Sequence, residues 1–156
     1  MLINRINDIN LLYPPFMEKV KKGLRAAIAA KIPIEIFETY RTNERQNYLF
    51  EQGRTRNGAI ITNRRGGLSW HNYGLAVDVV MRVDGRYNWD NTLYYTDAAQ
   101  YFEAQGLRWA GHSGFELVHY ELPINYSVDE SHKIVEQYGM LYYWKLLNDY
   151  EGENNV

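Results

Sequence analysis

Apolar positions along the chain fall into two periodicities, separated by polar, glycine-rich stretches. Phe16, Val20, Leu24, Ala27 and Ile28 recur at helical spacing after Pro14-Pro15, which predicts an amphipathic helix up to about Lys31. Ile34, Ile36 and Glu38 alternate around Phe37 and predict a short strand ending near Tyr40. Asn43 followed by Gln46 makes a capping box and Gly53 a C′ residue, so a second helix is expected from Glu44 to Gln52. Residues 53–69, rich in Gly, Arg, Asn and Thr, read as a long basic surface loop. Leu75 to Val83 is a buried-strand run, and Asp84-Gly85 a two-residue hairpin signal leading into Arg86-Tyr87-Asn88-Trp89. Thr96 or Asp97 would cap a helix ending at Gly106, and Phe115 to Leu122 has strand composition. Ser127-Val-Asp-Glu130 is a capping box opening a C-terminal helical region. Helices mixed with short strands, without regular βαβ alternation, predict an α+β fold: one domain over 1–156 with a small antiparallel sheet.

Composition narrows the chemistry. The 156 residues suit one domain, and 46% hydrophobic with 23% charged is ordinary globular composition. A net charge of −2 argues against a nucleic-acid binder relying on bulk positive charge. Apolar stretches of about five residues fall far short of the ~20 a membrane span needs, and Asp8 stands where a signal peptide would begin its apolar run. With no cysteine, disulfides, thiolate metal sites and cysteine nucleophiles are excluded, so any metal must use His, Asp or Glu, and there are only four His. The 14 Tyr are in excess; such rings either line a wet groove or pack around a small core.

Chemistry concentrates in Ser69-Trp-His71-Asn-Tyr-Gly74-Leu-Ala76-Val-Asp78. Asp78 interrupts an apolar strand, and a buried carboxylate is costly unless it meets backbone N–H groups, an Arg or a metal. Gly74 permits the turn that would bring His71 alongside it. In Glu116-Leu-Val-His119 an acid and a His stand three apart, which on an ideal strand puts them on opposite faces; convergence needs a bend, and Gly114 would permit one. His71, Asp78 and His119 would give three N/O ligands and an open position, the pattern of a catalytic zinc site, with Glu116 near enough to act on a water. His112, in a Gly-flanked loop, and His132, in a surface-type helix, fit solvent better.

Taken in order, these residues resemble the zinc peptidases that cut peptidoglycan stem peptides. The family includes D-alanyl-D-alanine carboxypeptidases and dipeptidases, and the L-alanyl-D-glutamate endopeptidases of phage endolysins. Its S-x-H-x-x-G-x-A-x-D signature is matched by Ser69, His71, Gly74, Ala76 and Asp78, and its acid-x-x-His signature by Glu116 and His119. The block from Glu38 through Arg41, Arg45 and Gln46 to Thr55 is similar to the one preceding the zinc motif in the endolysin branch. Gly106-Leu-Arg-Trp109-Ala-Gly111 is similar to the Gly-Leu-x-Trp-Gly-Gly stretch before the last strand. The likeness covers about residues 5–122. The departures are Glu116 where the endolysin branch commonly has Asp, Val118 in place of Pro, and a displaced second Gly.

The resemblance implies one Zn²⁺ per chain on His71, Asp78 and His119, with Glu116 as general base and acid. Arg41 would steady the polarised carbonyl oxygen, the alternative being a salt bridge with Glu38 or Glu44. Ser69 would orient a ligand, and Trp70 and Tyr73 would floor the groove or pack. The helices of 124–156 would pack on the domain or bind wall polymer. The implied activity is hydrolysis of the L-alanyl-D-glutamate bond of a stem peptide, by a monomer held in the host cytoplasm until a holin-like route releases it. The alternatives are a D-alanyl-D-alanine carboxypeptidase or dipeptidase, and a non-catalytic peptidoglycan-binding module.

Overall fold

Pro14 and Pro15 occupy the first turn of α1 (Pro14–Ala29), where their missing N–H groups cost nothing, and the helix buries Phe16, Val20, Gly23 and Ala27. Five helices and five strands follow from this computed structural model, which describes residues 3–114 and 116–153. The strands are β1 (Ile34–Glu38), β2 (Ala76–Val83), β3 (Arg86–Asn88), β4 (Arg108–Trp109) and β5 (His119–Glu121). They form one antiparallel sheet in the order β1-β2-β5-β4, and β3 also pairs with β2. The remaining helices are α2 (Asn43–Glu51), α3 (Thr92–Glu103), α4 (Val128–Tyr138) and α5 (Met140–Glu153).

β2 is the axis of the domain. Its residues from Ala76 to Met81 are all buried, because β1 flanks one stretch while β5 and β3 take successive others. The Asp84-Gly85 turn closes the β2–β3 hairpin with both residues at positive φ, 49° and 76°, as a two-residue turn of the primed type requires. In β1, Ile36 opposes Val79 and Glu38 opposes Asp78, so Phe37 is the extra residue of a β-bulge.

Several boundaries differ from expectation, each for a local reason. α2 is capped by Thr42, whose hydroxyl accepts from Arg45 N, because Gln46 is buried and bonded elsewhere. α3 begins at Thr92 under an Asn91 cap; exposed Leu93 and Tyr94 hide its first turn from a periodicity argument. The strand expected over 115–122 is only His119–Glu121. Leu117 and Val118 form a turn, in which His119 N bonds Glu116 O at 3.2 Å, and Phe115 lies outside the described residues. The Ser127 capping box opens α4 as expected.

Much of the tyrosine excess is packing. Tyr13, Tyr73, Tyr95, Tyr120 and Tyr143 are among the largest fully buried side chains, and none of the 14 lines the functional cleft. Four of the five hydroxyls staple loops and helices: Tyr13 donates to Asn148, Tyr73 to Gly67 O and Tyr95 to Asn88 O, while Tyr143 pairs with Ser131; the Tyr120 hydroxyl is buried without a partner among the described residues. Tyr143 and Leu147 of α5 belong to the core, and Trp144 Nε1 donates to Tyr73 O at 2.9 Å, so the C-terminal helices are packed onto the domain.

Candidate metal centre

Three elements, two of them adjacent in sequence, meet at one end of the sheet. The first is a single 3-10 turn, Trp70–Tyr73, ended by Gly74 in the left-handed region at φ 68°. A side chain at Gly74 would be strained there and would stand 3.0 Å from Leu11 O. This turn places His71 beside Asp78, the third residue of β2. The third group, His119, sits directly opposite Asp78 in the β2–β5 register.

His71 Nε2, Asp78 Oδ1 and His119 Nδ1 form a nearly equilateral triangle. The separations are 3.2 Å between His71 and Asp78, 3.2 Å between the two histidines, and 3.1 Å between His119 and Asp78. His71 and Asp78 are buried and His119 is half-buried. The outer ring nitrogens are occupied. His71 Nδ1 lies 2.6 Å from Thr39 O, which can only accept, and His119 Nε2 lies 3.0 Å from Glu121 Oε2. With both rings neutral, donation outward would aim their lone pairs at the same point as a carboxylate oxygen. A tetrahedral ion with bonds of ~2.0–2.1 Å needs ligand separations of roughly 3.3 Å. The donor set therefore fits a divalent metal, leaving one face open to the cleft.

The charges agree. Burial works against the Asp78 carboxylate, but His71 and the Arg41 guanidinium outweigh it and hold its pKa well below the usual range. Burial and Arg41 lower the pKa of His71, keeping that ring neutral. Burial also works against a charged His119, yet its bonds to Asp78 and Glu121 prevail and push it up to about 9. Without metal, a proton on His119 Nδ1 takes the place of the cation that this cluster of acceptors requires.

The surroundings fix the ligands. Arg41 Nη2 donates to Asp78 Oδ2 at 2.6 Å, Arg41 Nε to Glu38 Oε2 at 2.9 Å, and Arg41 N to His71 O at 3.0 Å. Glu38, 2% exposed, also takes Arg45 Nε at 3.0 Å. Of the two salt bridges weighed for Arg41, the one with Glu38 forms, and Asp78 joins it. Asn72 spans the loop, donating to Arg41 O while accepting from Gly67 N and Ser69 N. Glu121, tied to both Arg108 and His119, and Asn72 are site residues that motif matching passes over. For Glu121 a signal exists: two residues beyond His119 on a strand, it shares that face.

Glu116 is exposed on the turn before β5 and lines the same cleft of about 780 Å³ as Arg41, Ser69, Trp70 and the three ligand candidates. Its turn is pinned by Trp109 Nε1 donating to Leu117 O at 2.7 Å and by Val79 N donating to Val118 O at 2.8 Å. A Cβ on Gly111 would come 2.0 Å from the Trp109 ring, which explains why the glycine stands there. Tyr73, weighed as a groove residue, is instead 2% exposed in the core, with its ring 5.8 Å from that of Tyr143. His112 pairs with Glu103, and His132 stacks over Gly67 near Glu136; neither joins the triad.

Residues 62–122 match the family model described as D-alanyl-D-alanine carboxypeptidase. The peptidoglycan L-alanyl-D-glutamate endopeptidase CwlK of Bacillus subtilis is 44% identical over 78 residues, 49% of this chain and 47% of that protein. The matched stretch thus spans about half the length of that relative. Among solved structures, the L-Ala D-Glu endopeptidase ChiX of Serratia marcescens superposes with a TM-score of 0.58 at 20% identity, covering 88% of this chain and 95% of its own. The L,D-carboxypeptidase DacB of Streptococcus pneumoniae gives 0.54 at 20% identity, over 84% and 75%. At those identities the structures bear on the fold alone. Residues 62–122, which carry His71, Asp78, Glu116 and His119, are thus the part of the chain that is similar to the D-alanyl-D-alanine carboxypeptidase family.

Proposed function

We propose that the protein is a zinc-dependent peptidoglycan peptidase that hydrolyses the L-alanyl-D-glutamate bond of stem peptides. One observation carries this reading: three donor atoms within 3.2 Å of one another, in a cleft that Glu116 also lines. Two histidines and a carboxylate with an open position suit Zn²⁺, which when bound would polarise a carbonyl and lower the pKa of a water to ~7. His71, Asp78 and His119 would hold the ion, and Thr39 O and Glu121 keep the two rings turned toward that point. Glu116, standing in solvent at the cleft, accepts the proton of the attacking water and returns it to the departing amine. Arg41 fixes Asp78 through its outer oxygen and adds positive charge where the carbonyl oxygen becomes negative. Ser69 and Trp70 border the substrate path.

The endopeptidase assignment is supported by the 44% identity to CwlK over 78 residues. The block from Glu38 to Thr55 further supports a wall-lytic protein of phage-endolysin type, released to the wall by a holin-like route. All these groups come from one chain, in keeping with a monomer. The description of the matched family favours the second reading, removal of terminal D-alanine. Mass spectrometry of purified peptidoglycan digested by the zinc-loaded protein separates the two. New N-terminal D-glutamate is the expected product. Loss of terminal D-alanine would establish the carboxypeptidase, and no cleavage in the presence of zinc would leave a binding module.

A further inference from the structure

The rim of the cleft carries a feature that the proposed hydrolysis does not use. Phe37, Tyr87 and Trp89 meet edge to face, with centroids 5.5 Å apart for Phe37–Tyr87, 4.8 Å for Phe37–Trp89 and 5.8 Å for Tyr87–Trp89. The Arg5 guanidinium lies 3.9 Å over Phe37, and that of Arg82 lies 5.7 Å from the Tyr87 centroid. These contacts hold the rings in fixed orientations. None of the three belongs to the hydrophobic core, and Trp89 and Tyr87 remain 42% and 38% exposed. The bulge at Phe37 and the Asp84-Gly85 hairpin are the two devices that bring them together.

Position gives the cluster its meaning. Trp89 and Asp90 line the metal cleft and also a second, shallower hollow of about 630 Å³ along the hairpin, so the two adjoin at that pair. Asp84, Arg86 and Asn88 surround that hollow with hydrogen-bonding groups. A flat ring bordered by such groups suits a pyranose, which has a face of C–H bonds and an equatorial rim of hydroxyls and amides. In peptidoglycan, the first stem residue is joined through a lactyl group to N-acetylmuramic acid. Counting about 3.5 Å per extended residue, a sugar lies on the order of 10 Å from the L-alanyl-D-glutamate carbonyl. A cleft holding that bond at the triad must therefore accommodate the sugar near its rim, whereas trimming the far end of the stem imposes no such demand.

We propose that Trp89, braced by Phe37 and Tyr87, is a stacking subsite for the N-acetylated hexosamine of the glycan strand. This inference rests on the endopeptidase reading above. The test compares kcat/KM of the zinc-loaded full chain on N-acetylmuramyl stem peptide and on the same peptide lacking the sugar. The expected preference for the sugar-bearing substrate is about tenfold, carried by KM, which one aromatic contact can supply. Trp89→Ala should bring that ratio near one, and Trp89→Tyr should retain part of it. A wild-type ratio of one, or a ratio unchanged in Trp89→Ala, overturns the proposal.

A binding arm keeps the inference separate from the activity. Peptide-free N-acetylglucosaminyl-N-acetylmuramic acid is titrated into the wild-type chain while the Trp89 indole N–H resonance is followed. A saturable shift at Trp89 supports the subsite even if neither peptide is cleaved. No shift, or one that tracks protein concentration because a second copy covers the hairpin, overturns it.

Discussion

Asp78 and Glu116 are carboxylates on the same cleft, yet the fold treats them oppositely. Asp78 is 6% exposed in the most enclosed strand, with one oxygen on Arg41 and the other facing two histidines. Glu116 is exposed on a turn, held through backbone bonds of its own carbonyl and of its neighbours Leu117 and Val118. Holding a metal demands ligands fixed to fractions of an ångström, and the sheet supplies that rigidity at the cost of desolvating a charge. Moving a proton between water and a leaving group demands access instead. The two halves of the site should therefore fail differently when altered.

The largest effect is expected at the rigid half. Asp78→Ala should abolish stoichiometric metal binding and also leave Arg41 buried with only Glu38 and Gln46, costing about 3 kcal/mol in denaturant unfolding of the metal-free protein. Glu116→Gln should do the converse. Hydrolysis should fall by roughly 10²–10⁴-fold while metal content is unchanged and stability shifts by less than about 0.5 kcal/mol. Equal losses of stability from the two substitutions would erase the distinction. A smaller effect lies one shell out: Glu121→Gln, which weakens the anchor of His119 Nε2, should reduce zinc affinity by roughly 10–100-fold. Excess zinc should then restore hydrolysis; if it did not, Glu121 would belong to the chemistry itself.

The same contrast decides what could be read from the amino-acid order. The apolar run at β2 and the Asp84-Gly85 turn identify themselves, because burial and positive φ restrict which residues can stand there. His71, Gly74 and Asp78 lie in one contiguous stretch, so local geometry alone brings them together. Residues 116–118 mislead, since Leu117 and Val118 have strand composition but form a turn fixed by Trp109 and Val79, partners distant in sequence. The second partner of Arg41 was hidden for the same reason: Asp78 lies 37 residues away. Composition also misplaces the tyrosines, because a count does not distinguish a ring beside the site from one beneath it. Tyr73 and Tyr120 adjoin site residues in sequence yet point into the core.

The central claim is that His71, Asp78 and His119 form one metal site, and its most direct test is a calorimetric titration of the chelator-treated protein with zinc in buffers of different ionisation heat. His119, with its pKa raised to about 9, holds a proton in the metal-free protein below that pH, and the metal must displace it. The account predicts one equivalent bound, close to one proton released at pH 7, and affinity rising about tenfold per pH unit until it levels near 9. Binding that leaves the protons in place, or a stoichiometry unaltered by Asp78→Ala, would contradict it.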